Sequence, residues 1–282
     1  MRVELSQLLR LRLPIQVDAF EPVLTAFDDA THDVYRLYAP EGEFALKLLR
    51  DTSSPFWQGM QSLFGVNLVE QITYSQTHYA CAARHVCLPI PTFVASSRAE
   101  GDLPAYTLTQ WLVGESIDPN CISSSLIESL AIADAQRHET SRTTWGCCSE
   151  PQYSAQDWYE RIQQLLPDVD SESLAQVASV KDFVPMIMDM RWDQCLQYQD
   201  RLSALVDIDA LVFAPKALDF VMMEYWLTPE QLQLWCQTYQ AHGGVIPELH
   251  GVRGLYRQLL WRWQLWGEYS EQAWMMKGSF FV

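Results

Sequence analysis

Positive charge is scarce in this chain. Lysine and arginine total 19 against 35 aspartates and glutamates, a formal net charge of −16. The densest basic run, Arg253 to Arg262, holds only three arginines. Such a chain repels a nucleic-acid backbone and an anionic lipid surface, so neither is expected as a partner. No stretch approaches the ~18 uninterrupted apolar residues of a membrane-spanning helix. Glycine (12) and proline (14) are too few for a collagen-like or low-complexity chain. The seven cysteines are odd in number and contain no Cys-x-x-Cys spacing. That pattern speaks against a zinc site and a disulfide framework, and the thiols are expected to be reduced and packed. The segment Met1 to Pro14 reads as a short amphipathic helix carrying Arg2, Arg10 and Arg12. It lacks the continuous apolar centre and small-residue cleavage site of a signal peptide, so a cytoplasmic location is expected.

What is present is a large core. Of 282 residues, 49% are apolar, with 11 Trp, 12 Tyr and 11 Phe, which excludes a disordered chain. The length suits two lobes or one large α+β unit. The first third is β-rich. Val17 to Leu24 reads as a strand. Asp33 to Tyr38 alternates apolar and polar residues, Ala39 to Gly42 forms a turn, and Glu43 to Leu49 reads as a second strand, the pattern of a hairpin. A helix is expected over Phe56 to Ala83, then strands over Pro91 to Ala95 and Ala105 to Leu112.

After Gly114 the pattern turns helical, with helices at Ser123 to Arg137, Ser154 to Leu166, Pro229 to Ala241 and Val252 to Glu268. Two short apolar strands are expected near Met186 to Met190 and Ala204 to Ile208. The division is therefore a β-rich unit over 1–112 and a mainly helical unit over 113–282.

The residues able to do chemistry fall into a spaced set. In Ile187-Met-Asp-Met-Arg-Trp-Asp-Gln-Cys-Leu196, Asp189 lies within an apolar run, where a carboxylate needs a partner. Thirteen residues after Gln194 comes Asp207, within Ala204-Leu-Val-Asp-Ile-Asp209, and twelve further comes Asp219 in Ala217-Leu-Asp-Phe-Val221. Upstream, Lys47 sits in the apolar strand Phe44-Ala-Leu-Lys-Leu48, and Thr109-Gln-Trp-Leu-Val-Gly-Glu-Ser-Ile117 follows the last strand of the β-rich unit.

This set resembles the aminoglycoside phosphotransferase, choline kinase and fructosamine kinase superfamily. Its catalytic loop reads His-Gly-Asp-Leu-His-x-x-Asn, and its metal-binding strand ends in Ile-Asp-x-Glu/Asp. The resemblance runs from about residue 20 to 270. It implies an α+β, bilobal protein-kinase-like fold. A small antiparallel β-lobe with one long helix would bind nucleotide, and a larger helical lobe would carry the catalytic and metal-binding loops. It implies ATP and Mg²⁺, with the γ-phosphate moved to a hydroxyl of a small molecule. Lys47 takes the position that clamps the α- and β-phosphates, Glu70 that of its carboxylate partner, and Gln110 and Leu112 the hinge. Gln194 and Asp207 take the metal-ligand positions and Asp189 that of the catalytic aspartate. Asp219 is expected to brace the loop, and His138 to be a packed or capping histidine.

Such residue types suit phosphoryl transfer, which is mainly positioning and charge neutralisation. The accepted substrates of the superfamily are polar and mostly cationic. Glu115, Asp118, Asp157, Glu160, Asp193 and Glu224 are the acids available to form a pocket for an amine-bearing small molecule. The chain departs from the pattern at Ile187 for histidine, Gln194 for asparagine, Arg191-Trp192 for His-Pro, and in a glycine-free loop over Phe27 to His32. Three readings stand on these residues: a small-molecule kinase, a degenerate kinase-like protein that binds nucleotide or a partner without transfer, and a protein outside this superfamily.

Overall fold

Alternation of apolar and polar side chains builds the first sheet, and turn chemistry closes it. The computed structural model describes residues 12–24, 30–150, 152–262 and 270–281. The N-terminal helix expected over Met1 to Pro14 falls largely outside them, as do half of the glycine-free loop and the end of the last long helix. Strands β1 (Ala19–Val23), β2 (His32–Ala39), β3 (Gly42–Leu49), β4 (Phe93–Ser97) and β5 (Tyr106–Gln110) form one sheet in the order β1-β2-β3-β5-β4. Every pairing in it is antiparallel. One face buries Tyr35, Leu37, Phe44, Leu46, Leu48, Tyr106 and Leu108 as a small core.

The helix expected over 56–83 is three helices: α1 (Pro55–Phe64), α2 (Leu68–Thr73) and α3 (Ser75–His85). Two residues impose the break. Gly65 closes α1 in the left-handed conformation at φ 69°, and a Cβ there would lie 2.7 Å from the Tyr153 hydroxyl. Asn67 then caps α2, its side chain accepting from the amides of Val69 and Glu70. Although these helices precede residue 113, Trp57, Met60, Leu63, Phe64, Tyr79 and Ala82 belong to the larger core of the second half. Phe64 meets Trp145 edge-on at 6.4 Å and stacks on Trp158 at 6.3 Å. The β-sheet and the helical body are thus joined by helices contributed from the first third of the chain.

In the second half, β6 (Glu115–Ser116) leads to α4 (Ser124–Arg137), capped by Ser123. Strands β7 (Thr144–Cys147) and β8 (Tyr153–Ser154) precede α5 (Ala155–Leu165), where Ser154 and Asp157 form a reciprocal capping box. Then come α6 (Ser171–Ser179), β9 (Phe183–Ile187), the hairpin β10 (Cys195–Tyr198) and β11 (Arg201–Leu205), and β12 (Leu211–Pro215). Helices α7 (Lys216–Trp226), α8 (Pro229–Ala241), α9 (Arg253–Arg262) and α10 (Glu271–Met275) complete the body.

Strand β12 pairs with both β9 and β7, and its five residues are all buried. It escapes an alternation reading because it has no polar face. The architecture is α+β and bilobal, as expected. Among the described residues no helix is long and apolar enough to cross a membrane.

Candidate active site

Lys47 occupies the middle of β3, between Val34 of β2 and Thr107 of β5, so its stem is buried while its ammonium leaves the sheet toward the helical body. Nζ lies 3.0 Å from Asp207 Oδ1 and 3.1 Å from Asp209 Oδ2. Burial acts against its charge, but the two carboxylates outweigh it and hold the ammonium well above the ordinary lysine value. Asp209 is the more enclosed acid: its side chain is 13% exposed against 34% for Asp207. Burial opposes its ionisation, yet Lys47, His32 and His78 keep it far below the usual carboxylate range.

The loop carrying these acids follows β11 and is fixed from behind. Gln71 Nε2 on α2 donates to the Asp209 carbonyl at 2.9 Å, and His78 Nε2 on α3 contacts the Ile208 carbonyl at 2.8 Å. The Asp209 amide also donates to Asp207 Oδ1 at 3.2 Å. His32, at the head of β2, completes the surround. Its burial keeps the imidazole below the ordinary histidine value, against the pull of Asp209.

The carboxylate expected to hold Lys47 is therefore not Glu70. Glu70 is exposed in the first turn of α2, and the next residue, Gln71, faces inward. Asp209 does what was assigned to Glu70.

Asp189 follows β9 at the mouth of the β10–β11 hairpin. Arg191 Nη1 donates to its Oδ1, and Gln194 Nε2 to its Oδ2 at 3.0 Å. Burial pushes the carboxyl up to about 6, with Asp207 adding to the rise and Arg191 and Gln194 opposing it. Gln194 is 4% exposed. Because its amide nitrogen must face the Asp189 carboxylate, its Oε1 points elsewhere, buried and without a hydrogen-bond partner among the described residues. The Gln194 carbonyl accepts from the Val206 amide at 2.9 Å, tying the Asp189 loop to the strand end before Asp207.

Behind this loop lies a buried ionic network. Arg137 Nη2 donates to Asp134 Oδ1 and Asp219 Oδ2, each at 2.7 Å, and Nη1 donates to the Pro185 carbonyl on β9. His138, the C-cap of α4, bonds Asp219 through Nε2 at 2.9 Å and the Tyr239 hydroxyl through Nδ1 at 2.9 Å. Asp219 accordingly acts through Arg137 on the strand that leads to Asp189.

Gln110 ends β5 exposed, its amide donating to the Thr92 carbonyl at 2.9 Å, and Leu112 is half-buried after it. Two of the acids expected in a substrate pocket are occupied elsewhere. Glu224 is 2% exposed and neutralised by Arg253 and Arg257, while accepting from the amides of Phe280 and Phe281. Asp157 caps α5. Glu115, Asp118, Glu160 and Asp193 are exposed, with Glu160 accepting from Gln156 and Asp193 paired with Arg191.

Among the residues not singled out beforehand, Asp209 carried a signal, its place two residues after Asp207. Gln71, His78 and His32 carried none, because their roles depend on tertiary packing.

No family model and no curated protein matches this chain. Its structure, however, is similar to solved phosphotransferases. A macrolide 2'-phosphotransferase from Brachybacterium faecium superposes with a TM-score of 0.60 at 15% identity, covering 98% of each chain. An aminoglycoside phosphotransferase bound to ADP gives 0.56 at 12% identity, again over 98% of each chain. A gentamicin complex of another aminoglycoside phosphotransferase gives 0.55 at 13% identity, over 94% of this chain and 89% of that one. The likeness shows the fold, the two-lobed kinase-like architecture shared with small-molecule phosphotransferases.

Proposed function

We propose that the protein is a phosphotransferase that moves the γ-phosphate of ATP to a hydroxyl of a small molecule. The observation that carries this reading is the convergence of Lys47, Asp207, Asp209, Gln194 and Asp189 between a β-sheet and a helical body. A magnesium ion fits the donor set. Mg²⁺ takes one or two protein oxygens and completes its shell with phosphate and water. Asp207 offers a partly exposed carboxylate, and Gln194 a buried amide oxygen with no other partner among the described residues. Both would hold the ion, which when bound neutralises phosphate charge. The described residues hold no cluster of three or more His, Cys, Asp or Glu suited to a metal.

The chain's own groups then divide the work. Lys47 binds phosphate oxygens as a point charge, and Asp209 holds its ammonium in place. Residues 1–112 bind the nucleotide, with Gln110 and Leu112 as the hinge beside its base. Asp189 orients the acceptor hydroxyl and takes its proton, a role suited to a carboxyl raised to about 6. Gln194 fixes Oδ2 of Asp189, and the Arg191 guanidinium must leave Oδ1 for that oxygen to face the acceptor. The acceptor is amine-bearing: the chain is acidic, and Glu115, Asp118 and Asp193 stay at the surface of the helical half.

One observation favours the second reading, a nucleotide-binding protein without transfer. Arg191 occupies Asp189 with its guanidinium, where the superfamily pattern has histidine. Thermal melting with Mg²⁺-ATP, ATP plus chelator, and Mg²⁺ alone tests binding. ATP consumption over amines, amino sugars, glycated amines and neutral polyols tests transfer. No shift with Mg²⁺-ATP overturns both readings; a shift with silence across the panel leaves the second.

A further inference from the structure

Away from Lys47 and Asp207, the chain brings two cysteines together that lie 67 positions apart in sequence. Cys81 is on α3 and Cys148 directly follows β7. Their sulfurs are 2.6 Å apart. Two protonated thiols repel at that separation, whereas a disulfide bond is about 2.0 Å long. The backbones of α3 and β7 thus already hold the sulfurs within a small movement of bonding distance. We propose that Cys81 and Cys148 form a peroxide-reactive dithiol that closes to an intramolecular disulfide.

Several features select this pair among the seven cysteines. Cys147, next in sequence to Cys148, turns to Ser149, with Sγ 3.2 Å from Oγ. Cys195 is buried against the Arg191 carbonyl. Within the pair the two sulfurs are unlike. Cys81 is 8% exposed and Cys148 fully buried, so a small oxidant meets Cys81 first. The Cys148 thiol donates toward Cys81, which lowers the Cys81 thiol to about 7 against the effect of burial; Arg142, His78 and Arg84 help. The same contact and burial push Cys148 up, so it remains the protonated partner. Cys81, whose thiol donates to the Cys148 carbonyl at 2.8 Å and gives up that proton before it reacts, is the more exposed sulfur and so the attacking one, with Cys148 the resolving thiol.

The steps balance with hydrogen peroxide as oxidant. The Cys81 thiolate attacks one peroxide oxygen, the O–O bond breaks, and hydroxide leaves to become water on taking a proton, giving a sulfenic acid. The Cys148 sulfur then attacks the Cys81 sulfur. The S–S bond forms, the S–O bond breaks, and the departing hydroxide takes the Cys148 proton as a second water. Two thiols lose two electrons and one peroxide gains them. A low-molecular-weight thiol reverses the change by exchange.

The bond would fasten α3 to the end of β7. Helix α3 also carries His78, three residues before Cys81, which contacts the carbonyl between Asp207 and Asp209.

The test uses the full-length folded protein and a few equivalents of hydrogen peroxide. Remaining thiols are alkylated under denaturing conditions, and the digest is analysed by mass spectrometry without reduction. The expected result is a peptide pair linked through Cys81 and Cys148, with the other cysteines alkylated. Because Cys147 and Cys148 share a peptide, the Cys147→Ser variant is run beside the parent and should keep the link, whereas Cys148→Ser should lose it. Oxidation should also raise the melting temperature of the parent by about 5–15 °C, since the closed loop is long. Seven alkylated thiols, a link through Cys147, a bond between two molecules, or sulfinic acid at Cys81 as the sole product would each overturn the proposal.

Discussion

Lys47 and Asp209 are 162 residues apart in sequence and 3.1 Å apart in the structure. The aspartate binds the lysine from the loop that also carries Asp207, so one short segment supplies two acids to one ammonium. This arrangement separates two tasks. Enclosed Asp209 anchors the lysine, and under the proposed function the more exposed Asp207 exchanges the lysine for a cation. Asp209→Asn should therefore weaken Mg²⁺-ATP binding by roughly tenfold or more, because a buried ion pair loses one partner. Asp209→Glu should restore part of the loss, and Glu70→Gln should bind like the parent. Calorimetric titration checks this; equal losses in the Glu70 and Asp209 variants would return the anchor to Glu70.

Asp207 and Asp189 should separate binding from turnover. A metal ligand acts in the ground state, whereas a group that orients the nucleophile acts in the transition state. Asp207→Ala is expected to abolish the thermal stabilisation by Mg²⁺-ATP. Asp189→Asn is expected to keep it and to lose turnover by ~100-fold or more. If both variants are stabilised like the parent, neither role holds.

The pH dependence of turnover should report Asp189. Its carboxyl is raised to about 6, chiefly by burial, and only the ionised form accepts a proton. Activity should therefore rise with pH through about 6. The Arg191 guanidinium favours ionisation, so Arg191→Gln should move this rise to higher pH. A pH–rate profile of kcat/KM for both proteins measures the sign. A limb that stays in place means that Arg191 does not govern the titration of Asp189.

The hairpin of β2 and β3 and the starts of α4, α5 and α8 were legible because each is written locally. Alternation, Ser or Thr before a helical run, and short motifs need no knowledge of distant residues. The lysine anchor was not legible, for a specific reason. In an unbroken helix over 56–83, Leu63, Val66 and Glu70 share one face by their spacing of three and four. Gly65 and Asn67 interrupt that helix and reset its phase. In α2 it is Leu68, Gln71 and Ile72 that turn inward, and Glu70 turns out. Among the acids of the supposed pocket, Glu224 and Asp157 failed similarly. Glu224 is one face of α7 in sequence, but only the folded chain brings Arg253 and Arg257 to it.

The buried network around Asp219 gives the last prediction, which concerns stability. Asp219, Arg137 and Asp134 are each less than a tenth exposed, and Arg137 is shared between the two acids. Burial acts against ionisation of Asp219, but Arg137 and His138 outweigh it and leave the carboxyl below its ordinary value. His138 is itself held below its ordinary value by burial and by Arg137, so it stays neutral near pH 7. Beside an ionised Asp219 the neutral ring donates Nε2–H to it and so accepts a hydrogen bond from the Tyr239 hydroxyl at Nδ1. A carboxyl depressed in the folded state contributes stability above its unfolded value near 4, and this contribution is lost as pH falls through the folded value. Asp219→Ala leaves Arg137 half-paired in the core and should cost about 3–5 kcal/mol at neutral pH. Because Arg137 also holds the Pro185 carbonyl, the effect should reach the Asp189 loop. Asp219→Asn retains an acceptor for His138 but not the charge. Its stability loss relative to the parent should shrink as pH falls below 4, where the parent loses its own contribution. Urea unfolding across pH 3 to 7 measures both variants. A loss independent of pH over that range would mean that packing, and not the Asp219 charge, holds the network together.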